Sequence, residues 1–222
     1  FYLFSIFGFL FLINGFNFID GLNGLVLGYT LIILIFYCYF SYIRSDSIYV
    51  LCASLLVSVL ILFYHNFLFS RILTGDGGSY SLGFLIGAIS IYFANNNILP
   101  STSIAIILFY PFMEALFTPF KRHYILKDNV FKSDSFHLHQ ILYRIILKSK
   151  YVEKLNLKIE NINSFTSSLI LSIITTMLII GLFLSKYINA FLIFITYCAL
   201  YLIFYYILYK FEKRNYPNMI KE

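Results

Sequence analysis

Residues 25–69 read LVLGYTLIILIFYCYFSYIRSDSIYVLCASLLVSVLILFYHNFLF, and this stretch decides the fold. It contains two apolar runs, residues 25–43 and 48–69, which are separated by the polar sequence Arg-Ser-Asp-Ser. A helical run of about 20 apolar residues matches the hydrocarbon thickness of a bilayer. A helix also satisfies its own backbone hydrogen bonds in a solvent that offers none. The stretch therefore predicts two membrane-spanning helices joined by a short turn.

The composition of the whole chain extends this prediction. Of its 222 residues, 60% are hydrophobic and 12% are charged, whereas soluble domains carry about 25% charged residues. We predict an all-α, polytopic membrane protein with about seven transmembrane helices, in which residues 1–222 form a single transmembrane domain. Pro111 is expected to kink the fifth span. The predicted spans are residues 1–13, 25–43, 48–69, 81–94, 98–119, 164–185 and 190–209.

The basic residues predict which side of the membrane each loop faces. One side carries two glycine-rich breaks (residues 14–24 and 71–79), a polar loop (residues 120–162) and the C-terminus. Fourteen of the 16 Lys and Arg residues lie on that side, and Arg44 and Lys186 lie on the other. The positive-inside rule therefore makes the first side cytoplasmic. This distribution accounts for the net charge of +6 without a nucleic-acid partner.

The polar residues of the first break favour a functional site over a simple helix cap. Asn14, Asn17 and Asp20 recur every three residues, which places them on one face of a helix. Asn23 adds a fourth polar side chain within ten positions. The neighbouring glycines let a ligand approach the backbone. A cap needs one such residue, so we interpret the four together as a site.

The second break contains residues 74–79, which read TGDGGS. Asp76, set among glycines, can present its carboxylate together with several backbone N–H groups. That combination suits a divalent cation that bridges phosphate oxygens. A tight turn between two spans is the alternative, since Asp-Gly is a common turn pair.

The third polar patch is residues 134–140, DSFHLHQ, within the polar loop. His137 and His139 have no Cys or third His nearby to complete a zinc site. Two histidines in a basic loop can instead donate to a phosphate or a nucleotide, and a solvated loop is the alternative. We interpret Glu114, near the end of the fifth span, as a structural residue rather than a substrate contact.

Together the three patches resemble motifs of the polyprenyl-phosphate sugar-1-phosphate transferases (glycosyltransferase family 4). The similarity is to the branch of the undecaprenyl-phosphate N-acetylglucosamine-1-phosphate transferases. Residues 14–25 are similar to its Asn-x-x-Asn-x-x-Asp-Gly-x-x-Gly-Leu motif, and residues 75–79 to its Gly-Asp-x-Gly-Ser motif. Residues 134–139 are similar to its Asp-x-x-His-[Ile/Leu]-His motif. The patches follow the family's order on one predicted membrane face.

The resemblance implies roles for the patch residues. Asp20 and Asp76 are the implied catalytic residues. Asp76 is also the implied ligand of Mg²⁺, for which Mn²⁺ is the alternative ion. The two histidines are expected on a loop that closes over the UDP-sugar. The implied substrate-binding residues are Asn14, Asn17, Asn23, Arg122, His137 and His139.

The implied reaction transfers a sugar-1-phosphate, expected to be N-acetylhexosamine-1-phosphate, from a UDP-sugar to polyprenyl (undecaprenyl) phosphate, and UMP leaves. It would initiate cell-envelope glycan synthesis, such as that of cell wall or lipopolysaccharide, at the cytoplasmic face of a bacterial inner membrane. The implied partners are the UDP-sugar, the lipid phosphate and the membrane, and a homodimer is left open. The alternatives are a degenerate, non-catalytic subunit and, less favoured, a transporter, whose site would lie near the midplane between repeats.

The chain departs from the family pattern in two respects. The family's Asp-Asp pair belongs to an upstream segment, and the chain begins inside an apolar run. We therefore expect residues 1–222 to be the C-terminal part of a longer transferase and to be inactive alone. Four residues also differ from those that are common in the family. Asn23 and Glu114 each stand in place of an Asp, Leu73 stands in place of an aromatic residue, and Gln140 stands in place of a third His.

Overall fold

The computed structural model describes residues 2–123, 136–149, 152 and 158–215, and these residues contain helices and no strand. The all-α prediction is therefore confirmed for the described part of the chain. The helices are α1 (Tyr2–Phe18), α2 (Leu25–Ile43), α3 (Ile48–Phe69), α4 (Gly75–Asn95), α5 (Ser101–Ile107), α6 (Phe109–Lys121), α7 (Leu138–Leu147), α8 (Ile159–Leu184) and α9 (Ala190–Asn215).

Five of these helices, α2, α3, α4, α8 and α9, are long and apolar enough to cross a membrane. The number becomes six if α5 and α6, which are bent by 72° at a short break, form one span. The first of the seven predicted spans corresponds to α1, whose apolar part, Ile6–Phe18, is shorter than a full span in the described residues. The chain is a multi-pass membrane protein.

Both glycine-rich breaks are shorter than predicted. Helix α1 continues through Gly15 to Phe18, because Gly15 lies where a Cβ atom would be 2.2 Å from the carbonyl oxygen of Pro111. This close packing of two helices outweighs the low helix propensity of glycine. Helix α4 already begins at Gly75, and its first turn contains the Ser79 hydroxyl, which donates to the Gly75 carbonyl at 3.1 Å. The actual breaks are residues 19–24 and 70–74.

The predicted kink of the fifth span is present at Leu108, between α5 and α6. Pro111 has no N–H, so it cannot donate to the carbonyl of Ile107 one turn earlier. The hydroxyl of Tyr29, on α2, donates to that carbonyl instead, at 2.5 Å. A side chain of a neighbouring helix thus satisfies the backbone group that the proline leaves free.

The helices pack so that the ends of α1, α3 and α4 meet. Helix α1 packs against α4 and α6, and α2 packs against α3 and α8. Helix α7 lies against α8 and α9. Large apolar side chains such as Val50, Ile61 and Ile203 are exposed on the outer faces of α3 and α9, as expected for lipid contact. The two short breaks lie together at one end of this bundle.

Candidate functional site

The end of α1 contacts the start of α4 through two of the predicted site residues. The Asn17 side-chain amide donates to Asp76 Oδ1 at 2.9 Å and lies 3.3 Å from Ser79 Oγ. Asn17 is partly buried and Asp76 is exposed. Two predicted site residues that are 59 positions apart in the chain therefore contact each other. Sequence reasoning did not single out Ser79, whose buried hydroxyl completes this contact.

Asp20 brings a second carboxylate to the same place. It lies in the first break, where its carboxylate accepts hydrogen bonds from the Thr74 side chain and the Gly75 backbone. Burial, together with the negative charge of Asp76, raises the pKa of Asp20 to about 6. A cavity of about 220 Å³ lies between the two breaks and is lined by residues 20–23 and 73–76 with Asn66.

The two carboxylates are of the type that a magnesium ion binds in proteins. Mg²⁺ in proteins usually takes one or two carboxylates and completes its shell with water and phosphate oxygens. In the described residues, no group of three or more His, Cys, Asp or Glu side chains is placed to hold a metal ion. A metal site made of protein ligands alone is therefore not supported in the described residues. The like charges of Asp20 and Asp76 oppose each other, and a bound cation would relieve that repulsion.

A buried residue that sequence reasoning missed holds the two breaks together. Asn66 lies in α3, and its side chain bonds to the backbone of Gly24 in the first break and Ile72 in the second. The signal was present in the sequence, since an amide within an apolar span needs a hydrogen-bonding partner. Gly24 has φ of 77°, a left-handed conformation that favours glycine.

Asn23 is held by three contacts within the protein. Its side-chain amide donates to Ser70 Oγ, and its backbone N–H donates to Asn163 Oδ1, each at 2.6 Å. Its carbonyl accepts from Ser167 Oγ at 2.6 Å. These bonds fix the first break against Ser70, the first residue of the second break, and against α8. Asn23 also lines the cavity beside Asp20, and its substrate-binding role stays a prediction.

Asn14 lies apart from the other polar residues of its motif. It is exposed, and its amide donates to the Leu10 carbonyl of its own helix at 2.7 Å. It lines a separate groove of about 190 Å³ with Phe18 and Pro119. Because α1 ends at Phe18, Asp20 is not on the helix at all. The expectation that Asn14, Asn17 and Asp20 share one helical face is therefore wrong, and a role for Asn14 in binding stays a prediction.

Glu114 and His137 join α6 to the start of α7. The His137 Nδ1 atom is 2.9 Å from Glu114 Oε2, and both side chains are buried. The other Glu114 oxygen accepts from the Leu138 N–H at 3.3 Å. The side chain of Gln140 accepts from the His137 N–H and so caps α7. Glu114 therefore has the structural contacts that the sequence interpretation favoured.

His139 lies fully buried against the first break. Its ring stacks on that of His137, with centroids 5.7 Å apart and planes inclined by 7°. Among the described residues, neither of its ring nitrogens has a hydrogen-bond partner. Burial lowers the pKa of His139 to about 3, so the ring is neutral at pH 7. A Cβ atom on Gly21 would lie 2.2 Å from His139 Nε2, so the third patch packs directly on the first.

The remaining predicted residue, Arg122, directly follows α6 and is 9% exposed. Asp134, the first residue of the third motif, lies outside the described residues. The structure thus places Asp20 and Asp76 on one cavity, bonds Asn17 to Asp76, and packs His139 against Gly21, which also lines that cavity. The substrate-binding roles of Arg122 and of the two histidines stay predictions.

Part of the chain matches known proteins in sequence. Residues 1–94 match the family model of glycosyl transferase family 4. The chain is also 29% identical over 139 residues to the undecaprenyl-phosphate alpha-N-acetylglucosaminyl 1-phosphate transferase of Thermotoga maritima. That alignment covers 63% of this chain and 42% of the relative, so the chain spans less than half of the relative's length. No solved structure matches the chain.

The resemblance to glycosyl transferase family 4 that the motifs predicted is therefore confirmed over the first part of the chain. The matched residues include both carboxylates, Asp20 and Asp76, and the Asn66 side chain that links their breaks. The histidine patch lies beyond the family match. Its connection to the site comes from the packing of His139 on Gly21.

Replacing Gly21 with alanine should destabilise the protein through this contact. The new methyl group would displace His139, and overpacking of this kind costs about 1–3 kcal/mol. Thermal unfolding in detergent measures the loss. The double variant Gly21→Ala/His139→Ala should recover most of it. Gly77→Ala is the matched control, because a Cβ atom there meets nothing within 4 Å. Equal stability of Gly21→Ala and wild type would refute the contact.

Proposed function

We propose that this protein transfers a sugar-1-phosphate from a UDP-sugar to polyprenyl phosphate and releases UMP. The sugar is expected to be an N-acetylhexosamine, and the site faces the cytoplasm of a bacterial inner membrane. The observation that carries the proposal is the convergence of Asp20 and Asp76 on one cavity at the ends of membrane helices. The family match and the activity for which the Thermotoga maritima relative is named support the same reaction class.

The reaction exchanges one phosphorus–oxygen bond for another. An oxygen of the lipid phosphate bonds to the phosphorus that carries the sugar, and the bond from that phosphorus to UMP breaks. Such transfers depend mainly on positioning and on stabilising negative charge. A Mg²⁺ ion held by Asp76 and Asp20 would neutralise charge on the pyrophosphate. Asn17 orients Asp76 through its amide, while Thr74 and the Gly75 N–H hold Asp20.

The location of the site suits one soluble and one lipid substrate. The cavity lies between the two breaks at the helix ends, where a water-borne UDP-sugar would have access, and the helices expose apolar side chains on their outer faces. The lipid chain can stay among those faces while its phosphate reaches the boundary. The basic residues that the charge pattern assigns to the same side attract both anions. A transporter is disfavoured because its site would lie near the midplane.

A non-catalytic subunit is the second candidate, and the contacts of Asn23 favour it. Its amide is bonded to Ser70, whereas the family often has an acidic residue at this position. Such a subunit would keep the fold and the cavity without turnover. Binding of a UDP-sugar without UMP release, in the complete protein, would identify it.

The transferase is tested with the complete reading frame, purified in detergent. The assay supplies undecaprenyl phosphate, Mg²⁺ and a panel of UDP-sugars and follows UMP release. Release that requires both the lipid and Mg²⁺ is the expected result, and the active sugar identifies the donor. Well-folded protein that releases no UMP with any donor of the panel would contradict the proposal.

A further inference from the structure

Asn66 is bonded to both of the chain breaks that carry the carboxylates. Its side-chain oxygen accepts from the Gly24 N–H at 2.5 Å, and its side-chain nitrogen donates to the Ile72 carbonyl at 2.6 Å. Gly24 ends the first break, and Ile72 lies in the middle of the second. Asn66 itself is 4% exposed on α3. One buried carboxamide thus links two segments that are almost 50 residues apart in the chain.

These bonds satisfy backbone groups that the helices leave free. The N–H groups at the start of a helix have no partner within it, and Gly24 directly precedes α2. Ile72 lies between α3 and α4, outside any helix. A Cβ atom on Gly24 would lie 2.5 Å from the Phe67 ring, so the first break runs directly against α3. The end of α3 is therefore the surface on which both breaks are held.

The spacing along the chain connects this link to the carboxylates. Gly24 follows Asp20 by four residues, and Ile72 precedes Asp76 by four. We propose that Asn66 is a positioning residue, which holds Asp20 and Asp76 at the separation needed to bind one divalent cation together. The inference rests on the proposed function in assigning that cation to this site. Asn66 lies outside the three motifs, and its two hydrogen bonds would determine how the first and second motifs meet.

The decisive variant is Asn66→Leu, which keeps a similar volume and removes both hydrogen bonds. Asn163→Leu is the matched control, because Asn163 bonds the backbone N–H of Asn23 and so supports the first break alone. Two readouts apply to the complete protein in detergent. Hydrogen–deuterium exchange reports on residues 19–24 and 70–76, and the electron paramagnetic resonance signal of free Mn²⁺ reports on cation binding.

In Asn66→Leu, both segments should exchange faster than in wild type. The Mn²⁺ dissociation constant should rise about tenfold or more, which is typical when a residue supporting metal ligands is removed. In Asn163→Leu, exchange should accelerate in residues 19–24 alone, and Mn²⁺ binding should weaken less. This difference separates a link between the two breaks from a general loosening of one of them.

The inference is overturned if a well-folded Asn66→Leu variant binds Mn²⁺ as wild type does, or if wild type binds no Mn²⁺. Wild type that binds Mn²⁺ but releases no UMP would refute the proposed transferase activity. The comparison of Mn²⁺ binding between wild type and Asn66→Leu would still be valid. Should Asn66→Leu fail to fold, Asn66→Asp keeps the acceptor for Gly24 and loses the donor to Ile72. Faster exchange in residues 70–76 is then expected, and unchanged exchange in both segments overturns the inference.

Discussion

Replacing Asp76 with asparagine is expected to lower the rate of UMP release by about 10³-fold, with little change in folding. The substitution removes the negative charge that would hold the cation and keeps an oxygen that can accept from the Asn17 amide. Asp76 is exposed at the start of α4, so the exchange leaves no buried group without a partner. Initial rates of UMP release with saturating UDP-sugar and lipid measure the effect.

Asp46→Asn is the matched control for this variant. Asp46 is also an acidic residue at a helix start, where it accepts from the Ile48 N–H, but it lies in the turn between α2 and α3. That turn is predicted to face the opposite side of the membrane. UMP release should therefore be unchanged. Near-normal turnover by Asp76→Asn, in contrast, would remove Asp76 from the role of metal ligand.

The sequence predicted the helices well because hydropathy is a local property. Runs such as residues 25–43 and 48–69 coincide with α2 and α3 to the residue. The glycine-rich breaks were predicted too long, because local propensity does not include the close packing of Gly15 on Pro111. Residues 74–79 were interpreted as a loop, yet most of them form the first turn of α4.

The site was predicted in part, and its gaps have a common cause. Asn17, Asp20 and Asp76 were identified from their motifs, and the structure brings them together. The link through Asn66 could not be derived, because its bond to Gly24 joins residues 42 positions apart in the chain. The same is true of the packing of His139 on Gly21. Motifs identify which residues converge, whereas tertiary contacts determine what holds them.

An ion pair between a partly buried arginine and a buried glutamate fixes the helix that carries His139, and breaking it should destabilise the protein strongly. Arg144, on α7, donates to both oxygens of Glu212 near the end of α9, at 2.5 and 3.1 Å. Glu212 is 0% exposed. Arg144→Met keeps much of the apolar length of the side chain but leaves that carboxylate buried without its cation. We expect the free energy of unfolding to fall by about 3 kcal/mol.

Thermal unfolding of the purified variants tests this prediction and separates charge from packing. Replacing both partners of a buried ion pair with apolar residues is often close to neutral. Arg144→Met/Glu212→Leu should therefore recover most of the stability that Arg144→Met loses. Arg214→Met, at an exposed basic residue near the end of α9, should have little effect. If Arg144→Met unfolds at the wild-type temperature, the ion pair does not hold α7 in place, and the position of His139 must depend on its packing against Gly21 and His137.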